Sequence, residues 1–238
     1  MNRTVVAFGG NLPFQGRAPF HTFAQALAVL CGDGPDRPDR LHGPRGVHGP
    51  HGPHGVHGPH GVHGLHKPHG VARLRGVARL WRSAPVEAQG PDFFNTAAWI
   101  DTPLPAEAWL DLLLETEARF GRVRPDLPDR GRLQRPAGLS AARSLDLDLI
   151  WFAGQQSASE RLTLPHPRAA ERGFVLGPLC DLPAELLQDL RLPCPQTGAL
   201  KSAQTLWNDL PNEAREGLAA IDAMGDWHKT QPKETAVV

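Results

Sequence analysis

The run Ser144-Leu145-Asp146-Leu147-Asp148-Leu149-Ile150-Trp151-Phe152 alternates leucine with aspartate and then turns wholly apolar. In an extended chain successive side chains point to opposite faces, so Asp146 and Asp148 share one face and Leu145, Leu147 and Leu149 the other. The pattern predicts a strand over 144–152 with two carboxylates about 6 to 7 Å apart along it. Charges that close repel unless a cation or a proton lies between them, and paired carboxylates are how proteins hold Mg2+ against phosphate oxygens. The plainer alternative is an edge strand with a solvated acidic face.

Working outward, Thr4 to Phe8 is a short β-branched and aromatic run stopped by Gly9-Gly10-Asn11, which predicts a first strand ending in a turn. Phe20, Phe23, Ala24, Leu27 and Leu30 recur at helical spacing and predict a helix that ends near Gly32. Arg75 to Ser83 reads as a strand, with Val77, Arg79, Trp81 and Ser83 alternating against Ala78, Leu80 and Arg82. After a turn at Gly90-Pro91-Asp92, Phe93 to Ile100 is its antiparallel partner. The longest helix is expected over Leu104 to Phe120, with Trp109, Leu112, Leu113, Thr116 and Phe120 on one face and Gly121 as its stop. Closing with the acidic strand, the order is strand, helix, strand, strand, helix, strand. That order predicts an α+β fold: a ferredoxin-like βαββαβ sandwich with an antiparallel sheet and helices on its faces.

Two stretches interrupt the pattern. Residues 42–71 are His-Gly-Pro and His-Gly-Val triplets, with histidines at 48, 51, 54, 57, 60, 63, 66 and 69. Such a segment has almost nothing to bury, so a disordered surface insertion is expected. Residues 125–142 are rich in Pro, Arg, Asp and Gly and read as a long loop, of the kind that either works as a lid or is disordered. The whole is expected to be a single domain over 1–222, with a polar tail over 223–238 that includes Trp227.

With 25 Lys plus Arg against 25 Asp plus Glu, there is no global field to draw nucleic acid or anionic lipid. Small-molecule substrates and a monomer are expected. The three cysteines, Cys31, Cys180 and Cys194, lack the close pairs of a zinc ribbon and read as reduced thiols. No run approaches the roughly 20 apolar residues of a membrane span, and the start has no signal-peptide core, so a cytoplasmic protein is expected.

Several charged residues flank the acidic pair. Gly121-Arg122-Val123-Arg124 puts two guanidiniums at the exit of the long helix, and Arg143 stands just ahead of the acidic strand. Singly, each reads as a surface charge; together they supply what a polyphosphate requires. Leu164-Pro165-His166-Pro167 leads to Arg172-Gly173-Phe174, which sets a histidine about two helical turns from an arginine.

These stretches resemble the hydroxymethyldihydropterin pyrophosphokinase family, with separate motifs in the family's order. They are Phe8-Gly9-Gly10-Asn11-Leu12, Trp81-Arg82-Ser83-Ala84-Pro85-Val86 and Gln89-Gly90-Pro91-Asp92-Phe93-Phe94-Asn95, then Gly121 to Arg124, Arg143 to Asp148, and Leu164 to Phe174. The resemblance implies transfer of diphosphate from MgATP to 6-hydroxymethyl-7,8-dihydropterin, releasing AMP, in tetrahydrofolate biosynthesis. It implies that Asp146 and Asp148 bind two Mg2+ ions and that Arg122 and Arg143 stabilise charge on the transferring group. Glu117, Arg124, Arg161, Thr163, His166 and Arg172 would line the nucleotide site. Phe93 and Phe174 would sandwich the pterin, with Asn95, Ser83, Ala84, Val86, Gly9 and Asn11 on the substrate side. A flat polar heterocycle does need aromatic faces and amide partners at its rim.

The chain departs from the family where Ser140-Ala141-Ala142 replaces the usual Trp-Gly-Pro ahead of Arg143, while Arg130, Arg132 and Arg135 lie in the longer loop. Gly10 stands where the family commonly has Ser, and Pro13 where it often has Gly, which read as mild changes in a turn. A second reading is a catalytically degenerate pterin- or nucleotide-binding relative whose histidine tract binds metal or a partner.

Overall fold

The fold described here comes from a computed structural model and covers residues 1–32, 72–85, 90–122, 143–221 and 227–229. The histidine tract, the 125–142 loop, Val86, Arg124 and most of the 223–238 tail therefore lie outside the described residues.

The chain runs β1 (Asn2–Gly10), α1 (Pro19–Cys31), β2 (Arg73–Val77), β3 (Leu80–Ser83), β4 (Phe93–Thr102), α2 (Ala106–Arg119) and β5 (Asp146–Phe152). It continues through β6 (Ser157–Ala158), β7 (Thr163–Leu164), α3 (Gly173–Cys180), β8 (Leu192–Pro193), β9 (Leu200–Lys201), α4 (Ala203–Asp209), α5 (Asn212–Arg215) and β10 (Ala219–Ile221). The main sheet has the order β10-β3-β4-β1-β5, with β2 also on β4, and every pairing is antiparallel. The molecule is thus a mixed α and β structure built on an antiparallel sheet.

Two cores sandwich that sheet. On one face Val6, Phe8, Ala98, Ile100, Leu147 and Leu149 pack against Phe23, Leu27 and Leu30 of α1 and Trp109 and Leu113 of α2. On the other Val5, Ala97, Trp99 and Ile150 pack against Val175, Leu176 and Leu179 of α3 and Leu206 of α4. The period-two burial of β5, with Leu147 and Leu149 buried and Asp146 and Asp148 half-buried, is the one its sequence predicts.

Both expected helices form, and both stop where a glycine takes a positive φ: Gly32 at 74° and Gly121 at 84°. Proline opens α1 at a position where a missing N–H costs nothing. The Arg75–Ser83 strand, in contrast, is broken into β2 and β3. The register on β4 slips between Leu74 and Gly76, and Val77 and Leu80, three residues apart, both pack into the α1 and α2 core, so strict alternation fails across this segment. The bulge lies within β2, and at the break between β2 and β3 Thr96 Oγ1 and Trp227 Nε1 both donate to the carbonyl of Ala78.

Trp227 corrects the expectation of a wholly polar tail. It is 2% exposed, meets the Phe23 ring edge-on at 6.2 Å, and belongs to the core of the α1 and α2 face. A single tryptophan in a polar run carries no period, which is why the pattern of the sequence did not find it. The cysteines are free thiols, as expected. Burial pushes Cys31 up to about 12 and Cys180 up to about 11, so both stay protonated and unreactive at neutral pH. No described helix is long and apolar enough to cross a membrane.

Truncating a buried tryptophan costs about 3–5 kcal/mol, so Trp227→Ala is expected to lower the unfolding free energy by that order in urea titrations. A change below about 0.5 kcal/mol would return Trp227 to the tail.

Candidate functional site

Cross-strand register lines up the site on the α3 face of the sheet. Asn95 of β4 sits opposite Gly9 of β1, and Gly9 sits opposite Asp146 of β5. Facing residues share a side of the sheet, so Phe93, Asn95, Gly9, Asp146 and Asp148 form one row. Gly9 keeps the row open, since a Cβ there would lie 3.6 Å from Asn95 Oδ1 and 3.8 Å from Asp146 Cβ.

Asp146 is gripped from two sides. Arg122 Nη1 donates to its Oδ1, and Arg143 Nη1 lies 2.8 Å from its Oδ2. Asp148 is held more loosely, with Arg172 Nη1 at 3.5 Å from its Oδ2. The alternative of a solvated acidic face therefore fails, although β5 does lie at the edge of the main sheet. The carboxylates are still reachable, with side chains 18% and 32% exposed for Asp146 and Asp148.

Arg143 is fixed through its backbone. Its N–H donates to Asn11 Oδ1 at 2.9 Å, and its carbonyl accepts from the N–H groups of Asn11 and Leu12. Asn11 Nδ2 donates onward to the carbonyl of Pro91 at 3.2 Å, which ties the end of β1 to the turn before β4. Gly10 is not the mild change its turn position suggested. A Cβ there would meet the carbonyl oxygen of Ser144 at 2.6 Å, so β1 and the segment carrying Arg143 approach as closely as they do only because this residue is glycine.

Glu117 corrects an expectation. It is 1% exposed, accepts from Leu147 N at 2.8 Å and pairs with Arg122 Nη1. Sealed this way, it acts on protein groups: it caps an outward N–H of the edge strand and aims Arg122 at Asp146. A glutamate in the last turn of an amphipathic helix gives no pattern-level sign of that role. Arg161 and Thr163 are exposed, and Arg161 pairs with Asp111 of α2. Among the expected site residues, then, Arg122, Arg143, Asp146, Asp148, His166 and Arg172 come together, and Arg161 is engaged elsewhere.

His166 and Arg172 are not on one helix. A 3-10 turn over Ala169–Glu171 lies between them, and α3 starts only at Gly173. His166 N donates to the carbonyl of Ile150 at 2.9 Å, anchoring it beside β5, while its Nδ1 accepts from Arg168 N at 3.2 Å. An accepting Nδ1 places the proton of the neutral ring on Nε2. On the substrate side, Asn95 Nδ2 donates to Ser83 Oγ at 2.9 Å, with both residues buried. Phe93 lies under the guanidinium of Arg143 at 5.8 Å, and Phe174 under that of Arg172 at 5.6 Å.

Burial, reinforced by the charge of Asp146, raises the pKa of Asp148 above the usual carboxylate range, against the opposing pull of His166, Arg172 and Arg122. Burial also lowers His166, with Asp148 opposing, so the imidazole favours its neutral form. For Arg122, burial alone would lower the pKa, but Asp146 and Glu117 overcome it and raise it. A half-buried carboxylate pair in which Asp148 resists ionisation, ringed by guanidiniums, suits a divalent cation and a polyanion together. No group of three or more metal-ligating side chains occurs among the described residues, so a cation here would draw its remaining ligands from water and phosphate oxygens, as Mg2+ commonly does.

Comparison with known proteins agrees with this geometry. The profile for 7,8-dihydro-6-hydroxymethylpterin-pyrophosphokinase matches residues 59–184. A 2-amino-4-hydroxy-6-hydroxymethyldihydropteridine pyrophosphokinase of Methylorubrum extorquens is 38% identical over 95 residues, 40% of this chain and 52% of that protein. The protein of the same name from Pseudomonas aeruginosa is 40% identical over 106 residues, 44% of this chain and 56% of that one. The folate synthesis bifunctional protein of Arabidopsis thaliana is 34% identical over 104 residues, 43% of this chain and 19% of that one. The chain spans about half the length of the single-function relatives it matches.

Because Asp148 has a raised folded pKa, it contributes stability at low pH that is lost as pH rises through that value. In chelator-treated protein, Asp148→Asn is therefore expected to raise the melting temperature at pH 7 to 8, with the gain shrinking toward acid pH. A melting temperature that falls at pH 8 would show that the ionised carboxylate is stabilising.

Proposed function

The chain belongs to the 7,8-dihydro-6-hydroxymethylpterin-pyrophosphokinase family, and from that premise we propose that it transfers diphosphate from MgATP to 6-hydroxymethyl-7,8-dihydropterin and releases AMP. The observation that carries the proposal is the pair Asp146 and Asp148 on one face of β5 with Arg122, Arg143 and Arg172 upon them. The finer fold assignment, a ferredoxin-like βαββαβ sandwich, is supported by the antiparallel order β5-β1-β4-β3 with α1 and α2 packed on one face.

Asp146 and Asp148 would hold two Mg2+ ions, which supply charge neutralisation and orientation at the phosphates when bound. Arg122 and Arg143, now turned onto Asp146, are in place to exchange that carboxylate for phosphate oxygens. Their planar forks match either partner, so the exchange conserves hydrogen bonds. Arg172 and neutral His166 belong to the nucleotide side, and Glu117 keeps Arg122 aimed from behind. Phe93 and Phe174 offer the aromatic surfaces for the pterin, with Asn95, Ser83, Ala84, Gly9 and Asn11 about its rim.

In this reaction the hydroxymethyl oxygen attacks the β-phosphorus of ATP, the bond to the bridging oxygen of AMP breaks, and the hydroxyl proton is lost. Little covalent work falls to the protein; positioning and charge stabilisation carry the rate. The degenerate-binder reading is less favoured, because a binder without chemistry has no use for two carboxylates held under three arginines. The remaining proposals are a monomer acting in the cytoplasm on these small molecules, without a nucleic-acid or membrane partner.

Purified chain mixed with MgATP and the hydroxymethyl pterin is expected to release AMP, and Asp148→Ala to reduce turnover by at least about 1,000-fold with the circular dichroism spectrum retained. Release of ADP, or an Asp148→Ala variant of normal rate, would overturn the assignment.

A further inference from the structure

Residues beyond 184 lie outside the family match, yet they reach both sides of the proposed pterin site. The segment from Ala214 to Leu218, the end of α5 and the turn before β10, touches the N-terminus of α3 and the end of β3 at once. At Gly173, the first residue of α3, a Cβ would come 2.2 Å from the carbonyl oxygen of Ala214 and 2.7 Å from Leu218 Cδ1. At Gly217, whose φ is 71°, a Cβ would lie 3.9 Å from that of Ala84. Immediately afterwards β10 pairs with β3, Ala219 opposite Arg82 and Ala220 opposite Trp81.

These contacts adjoin groups that the proposed function uses. Gly173 separates Arg172 from Phe174, and Ala84 follows Ser83, whose hydroxyl accepts from Asn95. The two walls meet directly at Gly177 of α3, where a Cβ would come 2.9 Å from the Trp81 ring, but Phe174 and Ala84 each lie three residues from that contact. α3 begins without a side-chain cap, and β3 has only four residues. Without β10 the four-residue β3 would be paired on β4 alone, and such a strand and an uncapped helix start are the places where local opening is cheapest. The segment meets Gly173 through the Ala214 carbonyl and the Leu218 side chain together, so movement of one wall is passed to the other.

We infer that the segment Ala214–Ile221 is a positioning clamp that fixes the separation between Phe174 on α3 and the Ser83–Ala84 rim of β3, and through it the affinity for the pterin. This rests on the pterin reading of those walls. The arginine of Arg215 stacked 6.0 Å over Trp207, whose ring meets Trp81 edge-on at 5.7 Å, ties the clamp to the α4 side and to β3 again.

The test is hydrogen exchange by mass spectrometry on the full chain carrying Leu218→Ala, with Gly173→Ala as a second variant whose added Cβ forces the same contact apart from the α3 side. Each is expected to speed exchange about tenfold in both 173–177 and 81–84, with β1 and β5 unchanged. Each is also expected to raise the KM for the pterin about tenfold with kcat held within about twofold. Faster exchange confined to 214–218, or an unchanged KM beside a lowered melting temperature, would reduce the segment to a structural brace and overturn the clamp. If the unsubstituted chain releases no AMP, the pterin reading fails, and the exchange pattern alone decides whether the two walls are coupled.

Discussion

The site depends on one electrostatic constraint: two carboxylates that the strand period forces to the same side cannot both remain charged there without cations. Arg122 and Arg143 close on Asp146, and Arg172 approaches Asp148. Much of the local architecture serves to deliver those guanidiniums. α2 ends at Gly121 so that Arg122 can turn back toward β5, buried Glu117 braces it, and Asn11 and Gly10 bring the Arg143 backbone against β1. Asp148 is the member left under-compensated, and its raised pKa is the residue of that imbalance. A divalent cation would resolve it, since metal coordination favours the ionised carboxylate.

Much of this was legible in the sequence because it rests on short periods. The alternation of Leu145 to Leu149 told which face of β5 is wet, and the three- and four-residue spacing of α1 and α2 located both helices. Gly32 and Gly121 marked the stops, since only glycine takes a left-handed conformation without strain. The site residues that came together were those whose motifs resemble one family. What the sequence concealed depends on contacts far apart in the chain. Glu117 looks like any exposed helical acid until Leu147 N is set beside it, and Gly10 looks like a turn residue until Ser144 is.

The break between β2 and β3 has the same origin. An alternating pattern is a local signal, and the break at Ala78 answers to tertiary partners, Thr96 and Trp227, at separations of 18 and 149 residues. The C-terminal third was illegible for a related reason. β8, β9 and β10 have two or three residues each, too few for any period to register, and they are defined by what they pair with. That region nevertheless completes the second core through Leu206 and Leu210 and covers the outer edge of β3. Two of its glycines, Gly198 and Gly217, adopt positive φ, a local trace it leaves.

Counting Mn2+ by electron paramagnetic resonance, on the chain saturated with a non-hydrolysable α,β-methylene analogue of ATP, tests the central claim most directly. The account predicts about two ions per chain, and loss of at least one of them when either Asp146 or Asp148 is replaced by asparagine. Identical stoichiometry and affinity in those variants would mean that the ions are held by the nucleotide alone, and that the two aspartates answer only to their arginines.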